Sequence, residues 1–374
     1  MTEIIDDGRP TTDGVGPLAP LRARPLGDRP ARDEPLLGPP LLRLRRKARP
    51  TLLLYPLLTV PFAAGLVLGD PRAPLALPVL GTAFFGLGSL YNLVLWFTFL
   101  GRPAKKLLAQ PVREMTATAA GMRVTRLRVT MRVAGAPEEQ WLRMGLPAGL
   151  RTQLLAEPRL WVVGPDRKGR ALVALPGATL LRPARITTVP PRRSRPANPV
   201  RQGLSAPCDD PVLCAHVRWV RRWSVLGTVA GAVSAGWLLQ SALAAGWVDV
   251  TIPALAVVLL LSVVATLLPG LPRLSKAAHA LTWTPLPAVL DDDIRFRSVL
   301  RMDATGRVWL PDGTQRTLRL RRVSPELVAN IRCSRQLWII GAPGAGGAAL
   351  AGIPGQPVLD PVILGRRAKT ARPR

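Results

Sequence analysis

Long uncharged apolar blocks alternate with polar, arginine-rich segments along this chain. Four blocks lack any charged side chain, and they cover residues 51–69, 74–100, 223–248 and 251–271. The shortest has 19 residues, and a helix needs about 20 apolar residues to cross a bilayer core of about 30 Å. Short polar turns join the first block to the second and the third to the fourth. The pattern therefore predicts four transmembrane helices in two hairpins.

The segments that follow the hairpins have the alternation of half-buried strands. Apolar and mainly basic side chains alternate along residues 126–133, and the alternation returns at residues 318–321. Asp312 and Gly313 are typical of a hairpin turn between strands. Short helices are predicted at residues 147–157 and 324–332, the second with Ser324 as its N-cap. Each segment is thus expected to form a small β-rich (α+β) module.

The two halves of the chain resemble each other. The run LWVVG at residues 160–164 returns as LWIIG at residues 337–341, and residues 169–177 are echoed at residues 347–355. We interpret the chain as two copies of one unit, a membrane hairpin followed by a β-rich module. Trp161 and Trp338 are then expected to occupy equivalent strand positions, each packed as a core side chain under the short helix.

The predicted fold class is an α-helical membrane protein with four transmembrane helices in two hairpins, plus two duplicated small cytosolic β-rich (α+β) modules. The boundaries follow from the composition along the chain. The expected segments are a disordered basic tail (1–50), hairpin one (51–101), module one (102–188), a Pro/Arg-rich linker (189–222), hairpin two (223–271), module two (272–365) and a basic tail (366–374).

Charge sets the expected orientation. The chain has 51 Lys and Arg against 23 Asp and Glu, a formal net charge of +28. Basic clusters flank the outer ends of both predicted hairpins, whereas the two turns together contain one Arg and two Asp. Positive residues favour the cytoplasmic side of a membrane. We therefore expect a multi-pass protein of the cell (plasma or inner) membrane with both termini in the cytoplasm.

This layout resembles that of uncharacterised bacterial multi-pass integral membrane proteins that have paired spans and small cytosolic domains. The resemblance is one of architecture and implies a location in the membrane. It assigns no site residue.

Several motifs resemble catalytic or cofactor sites but lack residues that such sites need. The glycine-rich loop at 341–347 lacks the Lys and Ser/Thr that a phosphate loop needs, because Ala348 and Ala349 follow it. The aspartates at 291–293 have no further oxygen ligands in sequence. Cys208 and Cys214, and likewise His216 and His279, lack the spacing or partners of a metal or catalytic site. We expect no catalytic residue, no metal and no cofactor.

The remaining candidate is a basic strand face. Residues 102–189 have 16 basic and 5 acidic side chains, and alternation places several arginines opposite the core. The face is either simply solvated or contacts anionic lipid headgroups or a protein partner. Nucleic acid is not expected, since no binding motif or aromatic platform is present. The candidate contact residues are Arg126, Arg128, Arg132 and Arg143.

These features favour a non-enzymatic membrane protein that acts as a scaffold or regulator, with the lipid bilayer as its first partner and a homo-oligomer or protein partner as a further option. The predicted spans contain no Asp, Glu, Lys, Arg or His, residues that usually mark ion and proton pathways. The alternative is a transport component or channel for a neutral solute. A membrane-bound enzyme is the third hypothesis.

Overall fold

The computed structural model describes residues 29–34, 37–68, 76–116, 121–125, 128–133, 139–191, 195–198, 200, 206–245, 279–298, 301–341 and 347–367. The chain divides into two compact units. Within the described residues, one unit contains two β-sheets and the short helices beside them. The other contains most of the long apolar helices, residues 43–105 and 220–245.

Six α-helices and one π-helical turn lie in the described residues. The α-helices are α1 (Gly38–Leu68), α2 (Ala76–Leu95), α3 (Arg102–Leu108), α4 (Ala148–Ala156), α5 (Pro211–Ala245) and α6 (Pro325–Ser334), and the π-helical turn is Trp96–Leu100.

The first sheet has eight strands. Its members are β1 (Val112–Thr116), β2 (Met122–Val124), β3 (Arg128–Arg132), β4 (Trp141–Gly145), β5 (Arg159–Val163), β6 (Arg170–Ala174), β7 (Arg182–Thr187) and β8 (Arg195–Pro196). They lie in the order β1-β5-β6-β7-β4-β3-β2-β8, and all of the neighbouring pairs are antiparallel.

The second sheet has seven strands. Its members are β9 (Trp283–Leu290), β10 (Arg295–Phe296), β11 (Met302–Trp309), β12 (Gln315–Val323), β13 (Gln336–Ile340), β14 (Gly347–Gly352) and β15 (Leu359–Arg367). The order is β10-β11-β12-β15-β14-β13-β9, which matches the order of β2 to β1 in the first sheet strand for strand. A further pairing of β11 with β9 closes six of these strands into a barrel.

Closure of this barrel depends on a glycine at its seam. Gly306 of β11 lies opposite Leu290 of β9, and a Cβ atom there would approach the Val289 carbonyl oxygen to 2.2 Å. Any side chain at this position would push the two strands apart, so the absence of a Cβ allows the seam to form.

Each sheet encloses its own apolar core. In β3, Val129 and Met131 are fully buried while Arg128 and Arg132 are exposed, so strand alternation sorts the two faces. Helix α6 covers the core of the second sheet with Leu327, Val328 and Ile331. Its predicted N-cap is confirmed, because Ser324 Oγ accepts a hydrogen bond from the Leu327 backbone N–H.

The predicted fold class, an α-helical membrane protein with four transmembrane helices, is wrong. Antiparallel strands in two large sheets make up most of the described elements. Only two helical stretches among the described residues are long and apolar enough to span a membrane, Gly38–Leu68 and Gly81–Leu108. The prediction of four spans counted uncharged runs by length and treated the β-rich segments as small additions, whereas these segments form the two large sheets. The fourth predicted span and both hairpin turns lie outside the described residues.

The first two apolar helices pair in antiparallel fashion. Helix α1 continues through three prolines, Pro50, Pro56 and Pro61. A Cβ atom on Gly88 of α2 would approach the Tyr55 ring of α1 to 2.6 Å, and one on Gly81 would approach the Phe62 ring to 2.2 Å. Glycines on α2 therefore form the close contact, as in helix pairs packed in membranes.

Candidate functional site

The structure brings three of the four predicted arginines onto one surface. Arg128 and Arg132 lie on the outer face of β3, and Arg143 lies between them on β4, opposite Thr130. The neighbours of Arg143, Leu142 and Met144, point into the core. Arg126 lies outside the described residues.

A row of basic residues crosses the outer face of the first sheet. Thr130 is paired with Arg123 of β2 and with Arg143, Arg143 with Arg185 of β7, and Arg185 with Arg170 of β6. Neighbouring strands are about 4.8 Å apart, and like charges directly opposite one another are destabilising. We call this surface the arginine face; it comprises Arg123, Arg128, Arg132, Arg143 and Arg185.

Little of this charge is neutralised within the described residues. Arg170, at the end of the row, has a short ion pair with Asp166, with an N···O distance of 2.6 Å. Arg132 has a longer contact of 3.6 Å with Glu139, and both side chains are exposed. Arg143 donates a hydrogen bond to the Val189 carbonyl oxygen at 2.6 Å. The arginine face therefore presents uncompensated positive charge to its surroundings.

Sequence reasoning missed Arg123 and Arg185. Arg123 belongs to the three-residue strand β2, and Arg185 to the strand β7, whose register with β4 is not visible in the sequence. The alternation of Ala184 and Ile186 with Arg185 was the available signal for the second residue.

A second candidate is a cavity of about 340 Å³ within the unit that contains the sheets. Its wall comes from both sheets, from the start of α5 and from the loop before β15. Its polar lining includes Arg182, His216, Glu326, Gln356 and Asp360, and its apolar lining includes Leu150, Leu180 and Pro357.

Short contacts between the helices and loops beside the two sheets hold the cavity wall together. Glu326 of α6 accepts hydrogen bonds at Oε1 from the Thr179 hydroxyl at 2.9 Å and from the Thr179 backbone N–H at 3.3 Å. Asp210 accepts one at Oδ2 from the Gly355 backbone N–H at 2.7 Å. Gly149 lets α4 approach both His216 and Pro357, since a Cβ atom would lie 2.9 and 2.7 Å from their Cβ atoms.

Burial lowers the pKa of two basic side chains in this wall. Desolvation lowers the pKa of Arg182 below its ordinary value, and the nearby Glu326 carboxylate opposes the change. Desolvation likewise lowers the pKa of His216, against the attraction of Asp360. Because charged forms are disfavoured in buried sites, His216 is held mainly neutral at pH 7, whereas the guanidinium of Arg182 stays charged.

The other sequence candidates are dispersed. Asp293 is paired with Arg295 at 2.9 Å, Asp292 with Arg332 at 3.4 Å, and Asp291 accepts from Thr305. The three cysteines, Cys208, Cys214 and Cys333, are free thiols. Among the described residues no group of three or more His, Cys, Asp or Glu side chains could hold a metal ion. Most of the glycine loop after Gly341 lies outside the described residues.

Comparison with known proteins adds no assignment. Searches of protein-family models, of curated proteins and of solved structures found no match to this chain.

Proposed function

We propose that this chain is a non-enzymatic membrane protein, a scaffold or regulator, that is anchored by the α1–α2 pair and contacts anionic lipid headgroups through its arginine face. The observation that carries the proposal is the row of arginines on the outer face of the first sheet. It is supported by the two apolar helices.

The exposure of those helices favours a membrane over a soluble core. In each of the two helical stretches, Gly38–Leu68 and Gly81–Leu108, no residue of the most apolar 18-residue segment is buried. Leu53 is 77% exposed, Val67 81% and Leu87 67%. Contiguous apolar surfaces of this kind mark contact with a membrane or a partner. A helix from the core of a soluble protein would instead bury these side chains.

The charge near the helices supports a cytosolic location for the sheets. Basic residues precede the apolar part of α1, and others lie in α3, after α2. Strand β1 begins four residues after α3 ends. Basic residues next to a span favour the cytoplasmic side. We therefore propose that the sheets lie on the cytosolic side, where the leaflet carries anionic lipid.

The magnitude of the expected attraction is sufficient for binding. Each basic residue near an anionic leaflet contributes about 1 kcal/mol, so the five arginines of the face together contribute up to about 5 kcal/mol. Salt weakens this attraction over a distance of about 8–10 Å. An anionic surface also relieves the repulsion between Arg143 and Arg185, which lie on adjacent strands.

Lipid retention tests the proposal directly. The full chain in neutral detergent is mixed with phosphatidylglycerol or phosphatidylcholine, and bound lipids are counted by native mass spectrometry. We expect phosphatidylglycerol to be retained selectively, and the triple variant Arg123→Glu/Arg128→Glu/Arg185→Glu to lose that selectivity. None of these three side chains makes a hydrogen bond within the described residues, so the fold should tolerate the change.

A matched variant controls for net charge. Arg307, Arg319 and Arg321 are exposed on the second sheet, and their replacement by Glu changes the charge by the same amount. Equal loss of lipid in both variants would reduce the effect to overall charge and would remove the arginine face as a site.

Reporter fusions test the orientation. Fusions after Met122 and Pro190 should report the cytoplasm, and a fusion near Pro71 should report the opposite side. An externally active reporter after Pro190 would overturn the proposed location of the sheets.

A further inference from the structure

The carboxylates that line the inter-sheet cavity are already engaged by protein donors. Asp360 accepts hydrogen bonds at Oδ2 from the backbone N–H and the hydroxyl of Ser324, and it is ion-paired at Oδ1 with Arg301. Glu326 Oε1 accepts both Thr179 donors. Negative charge in this wall is therefore largely compensated from within the protein.

Two hydrogen-bond donors in the same wall, the side chains of Arg182 and Gln356, lack hydrogen-bond acceptors within the ranges that the structure describes. The Arg182 side chain makes no hydrogen bond or ion pair among the described residues, and the nearby Glu326 carboxylate attracts its charge. Gln356 is only 2% exposed, and its buried Nε2 has no hydrogen-bond partner in the described part of the chain. A buried donor without a partner is destabilising, so Gln356 gains when an acceptor enters the cavity, and the charge of Arg182 gains an anionic partner.

Arg182 lies on the side of β7 opposite to the arginine face. Along β7, Arg182 shares the inner side with Ala184, whereas Arg185 lies on the outer side. The two arginines thus belong to the same strand and to opposite faces. This geometry separates a cavity site from the lipid-contact surface of the proposed function.

We propose that the cavity binds a small amphiphilic anion, with its carboxylate or phosphate group on Arg182 and Gln356 and its apolar part against Leu150, Leu180 and Pro357. A guanidinium binds both kinds of anionic group through paired N–H donors. A cavity of 340 Å³ falls within the range of about 300–1,000 Å³ typical of small-molecule sites.

The test uses 4-fluorophenyl phosphate and the full chain in nanodiscs of phosphatidylcholine. Binding is followed by the ¹⁹F NMR line width of the probe, with 4-fluorobenzyl alcohol as the uncharged comparator. We expect saturable binding of the phosphate and little binding of the alcohol. Absence of saturable binding, or equal binding of the alcohol, would overturn the proposal.

A matched arginine outside both proposed binding surfaces separates the site from general charge. Arg182→Gln should weaken binding by about tenfold, the loss expected for one charge-assisted hydrogen-bonding group, whereas Arg319→Gln, at an exposed position of the second sheet, should leave the affinity unchanged. Equal effects of the two substitutions would contradict the cavity site.

A variant that is expected to bind more tightly provides a second test, because a folding defect would weaken binding rather than strengthen it. Glu326→Gln removes a negative charge near Arg182 while its amide oxygen can still accept from Thr179. We expect this variant to bind the phosphate several-fold more tightly, since like charge in the wall opposes an anion. Unchanged or weaker binding in a folded Glu326→Gln protein would count against an anion beside Arg182.

The same assay distinguishes the source of the anionic group. Phosphatidylglycerol added to the nanodiscs displaces the probe if the ligand is a lipid headgroup. A soluble phosphate or carboxylate is the ligand if the probe stays bound. Either result leaves the shared chemistry at Arg182 in place.

Discussion

Trp161 and Trp338 occupy the same position in corresponding strands, the third residue of β5 and the third residue of β13. Trp161 is paired with Ala174, and Trp338 with Gly352 at the corresponding point of the second sheet. Both indole nitrogens are buried without a hydrogen-bond partner within the described residues.

The two indoles do not lie under the short helices, where the sequence placed them. The residues on either side of each tryptophan fill the sheet cores, so alternation turns the indoles to the outer faces. Trp338 packs there against Leu213 and Val217 of α5. The outer faces of these strands are therefore covered by other parts of the chain rather than by solvent.

Replacement of Trp161 tests this packing. Trp161 is 8% exposed, so Trp161→Ala should lower the free energy of unfolding by about 3–5 kcal/mol. Trp338 is only partly buried, and Trp338→Ala should cost less. Thermal melts followed by circular dichroism in neutral detergent measure both. The exposed Leu281→Ala serves as control, and a Trp161→Ala melt equal to that of the control would contradict the packing.

Asp210 gives a second prediction, because its carboxylate serves two elements at once. Its Oδ1 accepts from the backbone N–H groups of Val212 and Leu213 at the start of α5, and its Oδ2 accepts from Gly355. The residue is completely buried. Asp210→Ala leaves these donors without the carboxylate and should cost about 3 kcal/mol, from the lost cap and the unpaired buried groups.

The neighbouring Asp209 provides the control for this change. Asp209 is exposed, and Asp209→Ala should leave the melting temperature nearly unchanged. Asp210→Asn, which keeps one acceptor oxygen, should fall between the two. An Asp210→Ala protein as stable as Asp209→Ala would show that the carboxylate does not link α5 to the second sheet.

Local patterns predicted much of the secondary structure but not the site. Alternation at Val129 and Met131 identified a strand and its buried face, and Ser324 marked the start of α6. The cavity could not be predicted in this way, because Thr179 and Glu326 are 147 residues apart. The same holds for the pairing of Arg143 with Arg185, which depends on strand register rather than on sequence proximity.

The prediction of the fold class was wrong for a related reason. Uncharged blocks predict helices by length alone, and this rule holds for α1. Barrel closure depends instead on a single close approach at Gly306. The preceding Asp312 marks Gly313 as a turn residue, but no comparable signal marks the position of Gly306 at the seam of the barrel.

A third prediction concerns pH and the loop before β6. Burial raises the pKa of Asp166, but hydrogen bonds from Arg170 and Lys168 outweigh it and hold the pKa of this carboxyl below its ordinary value. A carboxyl group with a lowered folded-state pKa stabilises the fold above its unfolded pKa of about 3.9, and the contribution is lost as pH falls through the folded value.

Asp166→Asn should therefore lower stability by about 1.5–3 kcal/mol near neutral pH, the range for hydrogen bonds to a charged group. The difference from the parent protein should stay constant down to about pH 5 and shrink below about pH 4. Melting temperatures between pH 3 and pH 7 measure it. The exposed Asp209 supplies the control, and Asp209→Asn should leave the melting temperature unchanged. A gap for Asp166→Asn that widens toward acid would contradict this assignment.

The last prediction tests the paired apolar helices with two glycines one half-turn apart. A Cβ atom on Gly88 would lie 2.6 Å from the Tyr55 ring, whereas one on Gly86 would lie 3.9 Å from the nearest atom, the Thr59 methyl group. Gly88→Ala must therefore displace α1 or the Tyr55 ring, while Gly86→Ala fits as ordinary contact. Both substitutions raise helix propensity equally, by up to about 1 kcal/mol, so propensity cancels from the comparison.

In phosphatidylcholine nanodiscs, a disulfide or spin-label pair between residues 59 and 89, whose side-chain oxygens lie 3.5 Å apart, reports the helix separation. We expect Gly88→Ala to lengthen that separation and Gly86→Ala to leave it unchanged, because only the first closes the space that the ring occupies. Identical distances in both variants would show that the helix pair does not depend on the close approach at Gly88.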